Sequence, residues 1–88
     1  PQPGVLVCPE WWGCNDYARS RAKQLAELGY VGFAIDLYGK GKITVDPQQA
    51  SAWSSAAYAD VPALRARTKL AYDLLAARKN VDRGRMAA

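Results

Sequence analysis

Histidine is absent from all 88 residues. Without an imidazole, no Ser-His-Asp or Cys-His pair can carry a nucleophile's proton near neutral pH, and histidine-based metal sites are excluded too. A complete hydrolytic triad therefore cannot be built from this chain alone. Cysteine is scarce: only Cys8 and Cys14 occur, and no further ligand completes a metal site. Neither a metal nor another cofactor is expected. Both read as reduced thiols, Cys8 as a small buried hydrophobe, in a cytoplasmic setting where disulfides are rare. Long apolar runs are missing as well. Charged or polar residues interrupt every stretch short of the roughly 18 residues of a membrane span, and no charged-then-apolar signal segment opens the chain. The first residue is Pro1 rather than Met, so further residues upstream are expected.

What is present fits one small domain. A chain of this length buries only about 60–65% of the surface it exposes unfolded, so its core is marginal. Twelve Lys and Arg against eight Asp and Glu give a net charge of +4. The basic residues fall mainly on two expected helices, at Arg19, Arg21 and Lys23 and again at Arg65, Arg67, Lys69, Arg78 and Lys79. They read as solvated faces; no basic cluster interleaved with aromatics points to nucleic acid.

Gly4-Val5-Leu6-Val7-Cys8 is a β-branched-rich run closed by Pro9, as expected of a buried parallel strand. Asn15 or Asp16 can cap a helix over Ala18, Ala22, Leu25, Ala26 and Leu28, with Gly29 as terminator. Tyr30 to Asp36 forms a second apolar run. Strand, helix and strand in that order make a βαβ unit with a right-handed crossover, which places Glu10 and Asp36 at the carboxyl ends of parallel strands. Open α/β sheets bind ligands along that edge. Tyr38 to Lys42 reads as loop, and Gln48 to Ala59 as a short helix carrying Trp53. Asp60 and Pro62 start a helix through Leu64, Leu70, Ala71, Leu74 and Leu75 to about Lys79. Asn80 to Gly84 reads as a tight connection, and Arg85 to Ala88 as a third strand.

Several side chains could carry chemistry. Glu10 lies between Pro9 and Trp11-Trp12, a carboxylate beside two indoles at a strand end. The plainer alternative is a surface glutamate, or one paired with Arg19 or Arg21. Trp11 and Trp12 read first as packing, as large aromatics mostly are, with a pocket wall as the alternative. Gly39-Lys40-Gly41-Lys42 lacks the spacing and the Ser/Thr of a phosphate loop. Neither cysteine has a nearby base that would make it a convincing nucleophile.

Pro9-Glu10-Trp11-Trp12-Gly13-Cys14-Asn15-Asp16-Tyr17, together with Asp36-Leu37-Tyr38-Gly39 and Asp46-Pro47, closely resembles the dienelactone hydrolase family of α/β-hydrolases. The resemblance extends over almost all of the chain. It implies an α/β fold, the three-layer α/β-hydrolase type with a parallel sheet. Residues 1–88 would be a single partial domain from its N-terminal part, the β-α-β-α-β portion ahead of the nucleophile elbow. The nucleophile, the acid and the histidine would then all lie beyond it. The family glutamate that contacts the resting thiol corresponds to Glu10, and the backbone N–H that forms half of the oxyanion hole corresponds to Trp11. Trp12, Tyr38 and Trp53 would line the substrate pocket. The family's arginine after Asp-Pro has no counterpart, since Gln48 to Tyr58 holds no Arg or Lys. The implied partner is therefore a small ester or lactone of open type, hydrolysed through a thiolate and an acyl-enzyme. A chain of this kind alone would be inactive. The alternative is a non-catalytic remnant or interaction module, self-associating through open sheet edges.

Overall fold

The computed structural model describes all residues from Pro1 to Ala88. Six elements follow one another: β1 (Gln2–Val7), α1 (Asp16–Glu27), β2 (Val31–Ala34), α2 (Pro47–Ala59), α3 (Val61–Ala76) and β3 (Val81–Ala87). The strands form one parallel sheet in the order β2-β1-β3. The chain moves from β1 to one side, then returns across β1 to the other. Right-handed crossovers in opposite directions place the connecting helices on opposite faces. Side-chain alternation along β1 serves both layers. Gly4 and Leu6 are buried towards Leu75 of α3, whereas Val5 and Val7 line a groove with Leu25 of α1.

Local chemistry explains where the helices begin. Asn15, rather than Asp16, caps α1, its Oδ1 accepting the Ala18 N–H at 3.2 Å. Asp46 accepts the Gln48 N–H at 3.1 Å and Asp60 the Ala63 N–H at 3.1 Å, each just before a proline in the first turn. Helix α1 lies tightly on β2: a Cβ at Gly32 would fall 2.6 Å from the Ala22 carbonyl oxygen. The core is small and consists of Leu6, Ile35, Ala71, Leu75 and Val81, flanked by Val31, Phe33, Leu37 and Met86.

Several expectations need correction. Leu70 and Leu74 are exposed, although both match a helical apolar pattern. They lie about 100° around the helix from Ala71 and Leu75, which occupy the sheet-facing stripe. Strand β1 starts at Gln2 and takes in Pro3, which lies ahead of the residues paired on both sides and beside the register shift, where a proline is tolerated. Cys8 lies just past the strand end and is exposed rather than buried. Helix α3 ends at Ala76, three residues early, its last turn closed by the Ala77 N–H on Asp73 and the Arg78 N–H on Leu75. Strand β3 begins at Val81, not Arg85. Its register jumps from Pro3↔Asp82 to Gly4↔Met86, so the tight connection expected there is a bulge inside the strand. The Asp82 carboxylate holds that bulge, accepting from the Gly84 N–H at 2.9 Å and from Arg85 Nε at 2.8 Å. No helix is long and apolar enough to cross a membrane.

Candidate active site

Two loops meet at the carboxyl end of the sheet. The first follows β1 and turns sharply: the Gly13 N–H donates to the Glu10 carbonyl at 3.2 Å, with Gly13 at φ +93°. A side chain at Gly13 has no room, because a Cβ would sit 2.2 Å from the Lys42 carbonyl oxygen. The second loop follows β2. Both oxygens of the Asp36 carboxylate accept backbone N–H groups, from Gly39 and Gly41, each at 2.9 Å. The Thr44 N–H donates to the Trp12 carbonyl at 3.0 Å and ties the loops together. Asp36 thus sits at a strand's carboxyl end as expected, and its task there is to shape the loop that carries Tyr38.

Glu10, Trp11 and Tyr38 line one cavity of 210 Å³, together with Ser54 and Tyr58 from α2. Trp53 lines the adjoining cavity of 220 Å³, which shares Tyr38. Its ring meets Tyr38 edge-on at 5.5 Å. Trp12 lines neither cavity; its indole packs edge-on against Trp11 at 5.3 Å. The structure therefore gathers Glu10, Trp11 and Tyr38 around one cavity, places Trp53 on the adjoining one and leaves Trp12 packed against Trp11.

Glu10 is exposed, with neither arginine holding it. Arg19 pairs with Asp16 at 2.7 Å and Arg21 donates to Gln24 at 3.0 Å. Glu10 also lines a larger groove of 840 Å³ between β1 and α1, whose wall includes Ala88 at the end of β3. Ala88 directly follows β3, so Glu10 and the carboxyl end of β3 border the same groove.

Trp11 contributes its backbone. Its carbonyl accepts the Tyr38 hydroxyl at 2.7 Å, and its N–H donates to no backbone carbonyl. Burial, with Tyr58 nearby, raises the Tyr38 pKa against the opposing effect of Ser54, so the phenol stays a neutral donor. Burial likewise raises the Cys14 pKa, with Asp36 adding to the effect and Arg19 opposing it. Cys14 therefore remains a protonated thiol at neutral pH and a poor nucleophile.

Two contributors have no signal in the sequence. Arg67, which reads as a solvated residue on α3, donates through Nη1 to the Leu37 carbonyl at 2.6 Å and the Tyr38 carbonyl at 3.1 Å. Lys42 places its ammonium 5.8 Å from the centre of the Trp53 ring. Both contacts join segments remote in sequence or cross a loop, where periodicity is silent.

The model of the dienelactone hydrolase family matches residues 1–88. The chain belongs to the dienelactone hydrolase family. Among solved structures, this dienelactone hydrolase family chain is similar to one titled m3DLH, at 42% identity and a TM-score of 0.90, covering 98% of this chain and 36% of that one. It is also similar to the dienelactone hydrolase-like promiscuous phosphotriesterase P91 from metagenomic libraries. That match has 38% identity and a TM-score of 0.89, and covers 99% of this chain and 36% of the other. The chain thus spans little more than a third of the length of either solved relative. No curated protein matches it. The three parallel strands and their helices accordingly have the α/β-hydrolase type of fold, in a hydrolase family.

Proposed function

We propose that these residues form the N-terminal part of a cytoplasmic hydrolase of esters or lactones, and that they supply two elements of its site. Glu10 assists the formation of a thiolate on a nucleophile carried by a later segment. The Trp11 N–H stabilises the oxyanion when that thiolate attacks the carbonyl. A single observation carries this reading: the Trp11 N–H has no backbone acceptor, on the turn that follows the central strand, and Trp11 lines a cavity with Glu10 and Tyr38. Trp53 and the Tyr38 ring provide apolar walls, with Trp12 supporting Trp11 from behind. Two free cysteines support the cytoplasmic setting. The likeness to a promiscuous phosphotriesterase brings phosphotriesters within range, since an oxyanion donor also serves a phosphoryl oxygen.

The test compares the 88-residue chain with a chain extended to the length of its relatives, on a nitrophenyl ester, a lactone and a phosphotriester. The extended chain is expected to turn over ester or lactone and to slow on Glu10→Gln, while the short chain shows no turnover above buffer. Turnover by the short chain that Cys14→Ser abolishes would overturn this division of labour. A second reading, an interaction module, draws support from β2 and β3 as unpaired edges and from exposed Leu28, Leu70 and Leu74. Sedimentation of the short chain as dimers or larger species with no activity in the extended chain would favour it.

A further inference from the structure

We propose that Tyr38 is a positioning residue for the oxyanion donor, acting through the bond from its hydroxyl to the Trp11 carbonyl. This rests on the reading of the Trp11 N–H given above. Trp11 Cα joins two peptide planes. The plane before it carries the Trp11 N–H together with the Glu10 carbonyl, which point in opposite directions because the peptide is trans. The Glu10 carbonyl is drawn into the turn by the Gly13 N–H at 3.2 Å, so the Trp11 N–H is directed out of the turn. The plane after Trp11 carries the carbonyl that Tyr38 grips at 2.7 Å. With both planes held, the two torsions of Trp11 have little freedom, and the N–H is fixed before any substrate arrives. An oxyanion donor gains most from such preorganisation, because no reorganisation remains for the transition state.

Tyr38 is itself firmly held. Its loop is clamped by Asp36 on the Gly39 and Gly41 N–H groups and by Arg67 on the Leu37 and Tyr38 carbonyls. Its ring rests edge-on against Trp53 at 5.5 Å. Helix α3 thereby reaches the turn after β1 through a single phenol. With its proton engaged on the Trp11 carbonyl, the Tyr38 hydroxyl has none left to donate to a substrate.

The variant Tyr38→Phe keeps the ring and removes the bond. In the extended chain, kcat for an ester is expected to fall about 10- to 100-fold with KM within twofold, a loss smaller than the roughly 10²–10³ of deleting an oxyanion donor outright. Tyr72→Phe, which removes a hydroxyl on α3 away from that loop, should leave both constants unchanged. Replacing Tyr38 by 2,3-difluorotyrosine, whose phenol ionises at lower pH, should shift the alkaline fall of kcat to lower pH, since a phenolate cannot donate. In the 88-residue chain, the carbonyl ¹³C resonance of Trp11 should move upfield in Tyr38→Phe. A rise in KM at constant kcat would place the hydroxyl on the substrate and overturn the proposal. So would unchanged kinetics, or an unchanged Trp11 carbonyl resonance. An extended wild-type chain with no hydrolytic activity would overturn the proposed function as well; an active wild type with an indifferent Tyr38→Phe overturns only this inference.

Discussion

Gly13→Ala should damage the candidate site more than any other single methyl group added to the chain. The structure supplies its own control. Gly13 and Gly29 have nearly the same positive φ, +93° and +97°, so an alanine at either carries a left-handed backbone cost of about 1–2 kcal/mol. Their surroundings differ. Around Gly29 nothing lies within 4 Å of the added carbon, whereas at Gly13 the Lys42 carbonyl oxygen lies 2.2 Å away. That oxygen is backbone and cannot swing aside. Relieving the overlap means separating the two loops, which breaks the bond from the Thr44 N–H to the Trp12 carbonyl that joins them. Such a bond contributes about 0.5–1.5 kcal/mol. Gly13→Ala should then cost roughly 1.5–3.5 kcal/mol against 1–2 for Gly29→Ala, out of a total of roughly 4–13 kcal/mol for a domain this size. Urea unfolding followed by circular dichroism gives the stabilities. Intrinsic fluorescence reports the site directly, since the three tryptophans, Trp11, Trp12 and Trp53, all stand on or beside these loops. Gly13→Ala should change the emission of the folded state and Gly29→Ala should not. Equal unfolding midpoints for the two variants would refute the close approach of the loops.

Leu75→Ala should be the most damaging truncation in the core, because Leu75 is 2% exposed and joins α3 to β1 and β3. A loss of about 2–5 kcal/mol by urea unfolding is expected, and a loss below about 1 kcal/mol would mean that the core lies elsewhere. Acid should weaken the β3 bulge. Arg85 and the Gly84 N–H hold the Asp82 pKa below the usual carboxylate range, so their contribution is complete above the unfolded pKa and is lost as pH falls through the folded one. Following the Asp82 carboxyl by NMR should show a midpoint below that of a model aspartate, and Asp82→Asn should abolish this part of the pH dependence; a midpoint at the model value would refute it. Iodoacetamide should alkylate the exposed Cys8 well before the half-buried Cys14, whose thiol is kept protonated by burial, and peptide mass analysis would expose the reverse order.

The parallel βαβ unit, its caps and its carboxyl-end loops were legible in the chain, because each rests on signals a few residues apart. Asn15 and Asp60 lie three residues from the N–H groups they accept, and the buried strands show as short apolar runs. The loop carrying Glu10 and Trp11 was legible for the same reason, whereas the roles proposed for those two residues rest on the family resemblance. Element ends were less so. Arg83-Gly84-Arg85 has the composition of a turn and is a bulge within β3, a distinction made by pairing to β1, over eighty residues away. Leu70 and Leu74 fit the helical period as well as Leu75 does; which stripe is buried depends on how α3 lies against the sheet.

Composition and local pattern by themselves determined that no triad closes within these residues, since no folding can supply an absent imidazole. They also determined where the turn carrying Glu10 and Trp11 would fall. Only the tertiary structure decided that Tyr38 reaches back across 27 positions to the Trp11 carbonyl, that Arg67 holds the loop from α3, and that Trp12 stands behind the cavity rather than in it. The physical reason is range. Caps and strand runs are settled by contacts along the chain, whereas a hydrogen bond between distant loops exists only once packing has brought its two ends within 3 Å.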